Sequence, residues 1–165
     1  MIRALVLTLG LVLGLCAALA VGGRMAHLRM VTDGLPGWSE GIDDRAGVLA
    51  GQGRVAGAVL RWRQAGIGWQ VTLSGADWQA RGMARIMGWE IRIEGFDGVI
   101  PASLLVPGAA GMLALADGML RIALPAGILT DAELHATARG LELTGAPPDG
   151  PLILRFSDGD WGVIP

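Results

Sequence analysis

The feature that most constrains this chain is a ten-residue pattern written twice. Gly68-Trp69-Gln70-Val71-Thr72-Leu73-Ser74-Gly75-Ala76-Asp77 is followed, twenty residues on, by Gly88-Trp89-Glu90-Ile91-Arg92-Ile93-Glu94-Gly95-Phe96-Asp97. In each copy apolar and polar residues alternate, the period of a half-buried β-strand. Trp69, Val71 and Leu73 face one way, as do Trp89, Ile91 and Ile93. Gln70, Thr72 and Ser74 face the other, as do Glu90, Arg92 and Glu94. A one-residue slip would put the apolar set into water, so this parity is strongly selected. The closing Gly and Asp of each copy read as turn chemistry. Trp78 to Met87 is long enough for one more strand, so the expected arrangement is an antiparallel meander with the copies as alternate strands.

The rest of the chain agrees with an all-β reading. Gly47 to Gly57 reads as a short, bending strand and Ala58 to Arg63 as a firmer one. Gly98 to Val106 includes Pro101, which argues for an edge or a break there, because proline cannot donate to a ladder. Met112 to Leu124 reads as a hairpin turning at Asp117-Gly118, the Asp-Gly signal between apolar runs. Ala132 to Ala138 and Leu141 to Thr144 follow. Leu152 to Ser157, the turn Asp158-Gly159, and Asp160 to Ile164 form a last hairpin. The expected fold is a curved antiparallel sheet or partly open barrel of eight to ten strands, preceded by a membrane helix.

That helix is expected from Ala4 to Gly23, twenty residues without a charge. As an α-helix the stretch spans roughly 30 Å, a bilayer's hydrocarbon core. It reads as an uncleaved anchor within residues 1–32, followed by a linker over 33–46 and a β domain over 47–165. A cleaved signal peptide is the alternative, with Ala18-Leu19-Ala20 as its processing site. A lipoprotein signal would need a small residue before Cys16, where Leu15 stands. An N-in anchor exports the rest of the chain, which places the β domain in the periplasm of a bacterial cell.

Composition excludes several classes. The net charge is -2, so there is no electrostatic footprint for nucleic acid. A single cysteine, Cys16, allows neither an intrachain disulfide nor a thiolate metal cluster. All 13 basic residues are arginine, a bias that fits a GC-rich bacterial genome rather than chosen phosphate forks.

Candidate chemistry is sparse. Asp131, Glu133 and His135 share one strand face and could hold a divalent ion, but no second histidine cluster completes a site, and Thr137 and Arg139 continue the same face as solvated residues. None of Ser39, Ser74, Ser103 and Ser157 sits in a nucleophile-elbow motif. Gly51-Gln52-Gly53 opens no helix, so it is not a phosphate loop. Turn formation accounts for Asp77 and Asp97. No enzyme activity and no cofactor are expected. Trp62, Trp69, Trp78 and Trp89 are the one notable set. Burying each ring would remove ~150–250 Å² from water, which favours a core role. A partner or ligand surface, for lipid or glycan, is the other use of such a stripe.

Leu60-Arg61-Trp62-Arg63, the glycine-punctuated meander and Gly98-Val99-Ile100-Pro101-Ala102-Ser103-Leu104-Leu105 together resemble protein N of the bacterial type II (general) secretion pathway. Gly47-Val48-Leu49-Ala50-Gly51 is similar to a glycine-bounded segment of that family, but lacks its tryptophan. The resemblance runs from Gly47 to about Leu124. It implies one inner-membrane helix, a periplasmic β domain related to the AsmA-like lipid-handling proteins, and a non-enzymatic accessory role among other secretion subunits. A periplasmic lipid- or glycan-binding module is the alternative function.

Overall fold

The computed structural model describes residues 22–26, 41–55, 57–124, 127–143 and 145–164. Among the described residues nine strands form: β1 (Ala50–Val55), β2 (Ala58–Ala65), β3 (Gly68–Ser74), β4 (Gln79–Met87), β5 (Glu90–Pro101), β6 (Ala110–Ala123), β7 (Ile128–Glu142), β8 (Gly150–Ser157) and β9 (Asp160–Ile164). They form one antiparallel sheet in chain order, β1 to β9, which does not close. The all-β meander expected from the alternation is therefore present. Among the described residues no helix is long and apolar enough to cross a membrane. The stretch Ala4–Gly23, apart from Gly22 and Gly23, lies outside them.

Cross-strand pairing sorts the side chains onto two faces. The apolar face runs through Trp69, Ala84, Ile93, Leu120, Ala132, Phe156 and Trp161, each opposite the next. The opposite face carries Arg85, Arg92, Arg121 and Asp131 in a similar row. Val71 and Leu73 share the face of Trp69, and Ile91 shares that of Ile93, so the expected parity holds for both strands.

The core lies over β5 to β8. Ile100, Leu113, Leu134 and Leu154 are fully buried. Phe96, Leu115, Leu141 and Leu152 join them, and Trp78, Leu104, Leu105 and Trp161 pack against the cluster. Each such side chain contributes about 1.5–3 kcal/mol on burial. Trp78 precedes β4 and Trp161 belongs to β9, so one apolar face wraps a common core from both sides. A single-turn 3-10 helix, Ala102–Leu104, follows Pro101 and helps to cover it.

Three strand boundaries differ from the sequence expectations. Asp117-Gly118 makes no turn; β6 runs straight through it, with a register shift between Leu115 and Asp117. A type I′ turn needs positive φ at both central residues, and neither residue adopts it. Gly118 is small for another reason: a Cβ there would collide with Leu134 and Phe96. The segment expected at 132–138 and the first two residues of that expected at 141–144, Leu141 and Glu142, belong instead to the single 15-residue strand β7. The second repeat also does not end in a turn. Gly95 (φ 59°) is an extra residue inside β5, which runs on to Pro101, and Asp97 lies opposite Arg81. Left-handed backbone at a bulge is a glycine role.

Candidate functional site

Each tryptophan of the expected set has its own surroundings. Trp62 donates its indole N–H to the Gly47 carbonyl at 2.9 Å, and Trp69 donates to the Val48 carbonyl at 2.8 Å. The two rings thereby pin the segment ahead of β1. Gly51 lies under Trp62, where a Cβ would strike the ring and Ala46. Trp78 lies against Gly75 in the same way and packs on the core. Trp89 is different. It was expected on the packed face with Trp69, but it is 82% exposed. Met87 pairs with Glu90, so Gly88-Trp89 are the two turn residues between β4 and β5. A turn tip has no neighbouring strand to bury a ring against. The four residues are thus two clamps, one core cap and one free side chain, not a continuous stripe.

The other candidates also separate. His135 Nε2 lies 3.3 Å from Glu133 Oε1, and Asp131 faces Arg121 at 3.8 Å. Among the described residues no three histidine, cysteine or carboxylate side chains gather as metal ligands. Asp97 holds Arg81 at 3.2 Å, while Asp77 stands exposed in the β3–β4 turn. On the polar face Arg85, Arg92 and Arg121 oppose one another on three adjacent strands. Like charges in that position repel. Glu94 offsets this by reaching Arg85 at 3.5 Å and Arg92 at 3.9 Å, and Glu90 reaches Arg92 at 3.4 Å. These pairs are partly exposed, and each is worth at most about 1 kcal/mol. An open depression near β1 is lined by Asp43, Arg45, Gln52 and Arg61, with Gln52 bonded to Asp43 at 2.6 Å.

Two apolar surfaces remain. Over β2 and β3 the apolar face is only half-buried, at Leu60, Trp62, Trp69, Val71 and Leu73. The second surface is a rim. Ile67 in the β2–β3 turn is 89% exposed, Trp89 in the β4–β5 turn 82%, and Ile128 at the start of β7 61%; Ile86 and Met87 beside them are also exposed. The Leu124 N–H donates to the Trp89 carbonyl at 2.8 Å, which ties two of these turns together. Sequence reasoning missed this rim. The available signal was a bulky apolar residue next to glycine in Gly66-Ile67 and Gly88-Trp89, where turns ordinarily carry small polar residues.

Comparison with family models, with curated proteins and with solved structures finds no match.

Proposed function

We propose that the protein is a membrane-tethered β-sheet module that faces the periplasm and works by non-covalent contact, as an accessory subunit of type II secretion. The observation that carries the contact role is the open sheet. β1 is flanked by residues 41–43, through the Ile42–Gly53 bridge and the Asp43 N–H donated to the Gln52 carbonyl at 3.0 Å. Among the described residues β9 has β8 as its only strand neighbour. An edge of that kind accepts a strand from a partner subunit. The tether rests on the uncharged stretch Ala4–Gly23, and the secretion role on the resemblance of residues 47–124. Deleting the gene should leave type II cargo in the periplasm, measured by fractionation. Normal cargo release from the deletion strain would sink the secretion role.

The half-covered face over β2 and β3 favours a second reading, in which the module holds a lipid chain or a glycan. Protein purified from membranes and then extracted should release a lipid or sugar in stoichiometric amount. An empty extract would remove this reading.

A further inference from the structure

The apolar rim lies where the chain enters the domain. In a meander the β2–β3, β4–β5, β6–β7 and β8–β9 turns share one end of the sheet, and the start of β1 lies there too, since Ala50 pairs with Arg63. Residues 43 to 47 run toward that end: Asp43 bonds opposite Gln52, whereas Gly47 bonds to Ala50. Ala26 donates to Asp44 at 3.1 Å, Met25 donates to Ala46 at 2.8 Å, and Arg24 bridges Gly47. Read backwards from Ala26 to Arg24, the chain therefore also approaches the rim. The residues before Arg24 in sequence are the uncharged stretch Ala4–Gly23.

The two ends of the sheet differ in the bulk their tips expose. At the far end the tips Ala76-Asp77, Pro107-Gly108 and Pro148-Asp149 are small or polar, and among the described residues the one large apolar side chain exposed by a turn is Val55, at 48%, beside the β1–β2 connection. At the entry end the exposed tips are Ile67, Trp89 and Ile128, with Val48 exposed nearby. Indole and branched aliphatic side chains at turn tips match the boundary between lipid headgroups and acyl chains, where tryptophan is enriched. The β8–β9 tip, Asp158-Gly159, bears a carboxylate and belongs at the outer corner, so contact falls to the β2–β3, β4–β5 and β6–β7 tips.

We infer that this rim rests in the interfacial layer of the same bilayer that the stretch Ala4–Gly23 enters, so that the sheet stands with its strand ends on the membrane. The inference rests on the tether reading above and adds an orientation to it. The test uses the full chain with Cys16→Ser and single spin-labelled cysteines. Ile67→Cys, Trp89→Cys and Ile128→Cys report on the rim, and Ala76→Cys and Pro148→Cys on the far end. All five positions are exposed, so the fold is not at stake. After reconstitution into phosphatidylethanolamine–phosphatidylglycerol vesicles, rim labels should lose collisions with a water-soluble nickel chelate and keep collisions with oxygen. Far-end labels should keep both. Protein that pellets with the vesicles but carries equally wet labels at both ends overturns the orientation and leaves the tether standing. Protein that remains in the supernatant overturns both. Rim labels shielded from nickel and oxygen alike would show a second copy packed on the rim, which also overturns the lipid contact.

Discussion

The copies beginning at Gly68 and Gly88 share a pattern and differ in fate. In the first, the turn falls at Gly66-Ile67, so Gly68 and Trp69 both lie in β3. In the second, the turn falls on Gly88-Trp89 themselves. Trp69 consequently finds a carbonyl for its N–H and a neighbouring strand for its ring, whereas Trp89 finds water. The far ends diverge in the opposite sense. The first copy stops at Ser74, and Ala76 and Asp77 sit in a turn. The second continues through a bulge at Gly95 and delivers Phe96 to the core. A shared ten-residue pattern thus sets parity but not where a strand begins or ends.

The strongest way to break this contrast is at the matched positions Ala76 and Phe96. Phe96→Ala should destabilise the domain by about 3–5 kcal/mol, as for other large core truncations. Ala76→Phe, at the exposed equivalent, should change stability by less than about 0.5 kcal/mol. Urea unfolding followed by far-UV circular dichroism reads both; similar values would mean that the second copy does not feed the core.

Trp69→Ala should cost about 2–3 kcal/mol, less than a fully buried ring because Trp69 is half-exposed. Trp69→Phe should recover most of that and leave a deficit of about 1 kcal/mol for the lost bond to Val48. If Trp69→Phe were as damaging as Trp69→Ala, the hydrogen bond rather than the ring would hold the segment ahead of β1.

Gly95→Ala should cost about 1–2 kcal/mol, the penalty for an L-residue in left-handed backbone. Gly95→Asn should cost less, since asparagine tolerates that region. Equal losses for the two variants would argue that space, not φ, selects glycine there.

The smallest effects are expected at the exposed members. Asp97→Ala should lose no more than about 1 kcal/mol, the worth of its exposed pair with Arg81. Trp89→Ala should stay within about 0.5 kcal/mol of the parent. A loss at Trp89 as large as that at Trp69 would place its ring in a packed environment and remove it from the rim.

Much of the fold was legible in the residues because period-2 alternation is a local property. β2, β3 and β4 and the β8–β9 hairpin follow it closely, and Gln79, Arg81 and Arg85 are exposed as their parity requires. The failures occur where a residue's neighbours in space outweigh those in sequence. Asp117-Gly118 has the composition of a turn, yet the hydrogen bonds of a continuous β6 and the volume of Leu134 and Phe96 claim it. The short, bending strand expected within Gly47 to Gly57 is present as β1, but the reason for its glycines lies elsewhere in the chain: Trp62 and Ala46 occupy the space above Gly51, and residues 41–42 that above Gly53. Asp97 was assigned to a turn, because a cross-strand arginine sixteen residues away cannot be read from local composition.

The sequence by itself determined the all-β class, the meander order of the early strands and the sorting of charge and apolar side chains onto opposite faces. Alternation and short connections suffice for these, since each strand can bury its apolar side only in the phase its own residues dictate. Tertiary structure decided which tryptophan is a clamp, which is a core cap and which is free, and it brought Ile67, Trp89 and Ile128 to one end of the sheet beside the chain's entry point. Those outcomes depend on where each strand stops, and strand length is set by pairing and packing with neighbours distant in sequence.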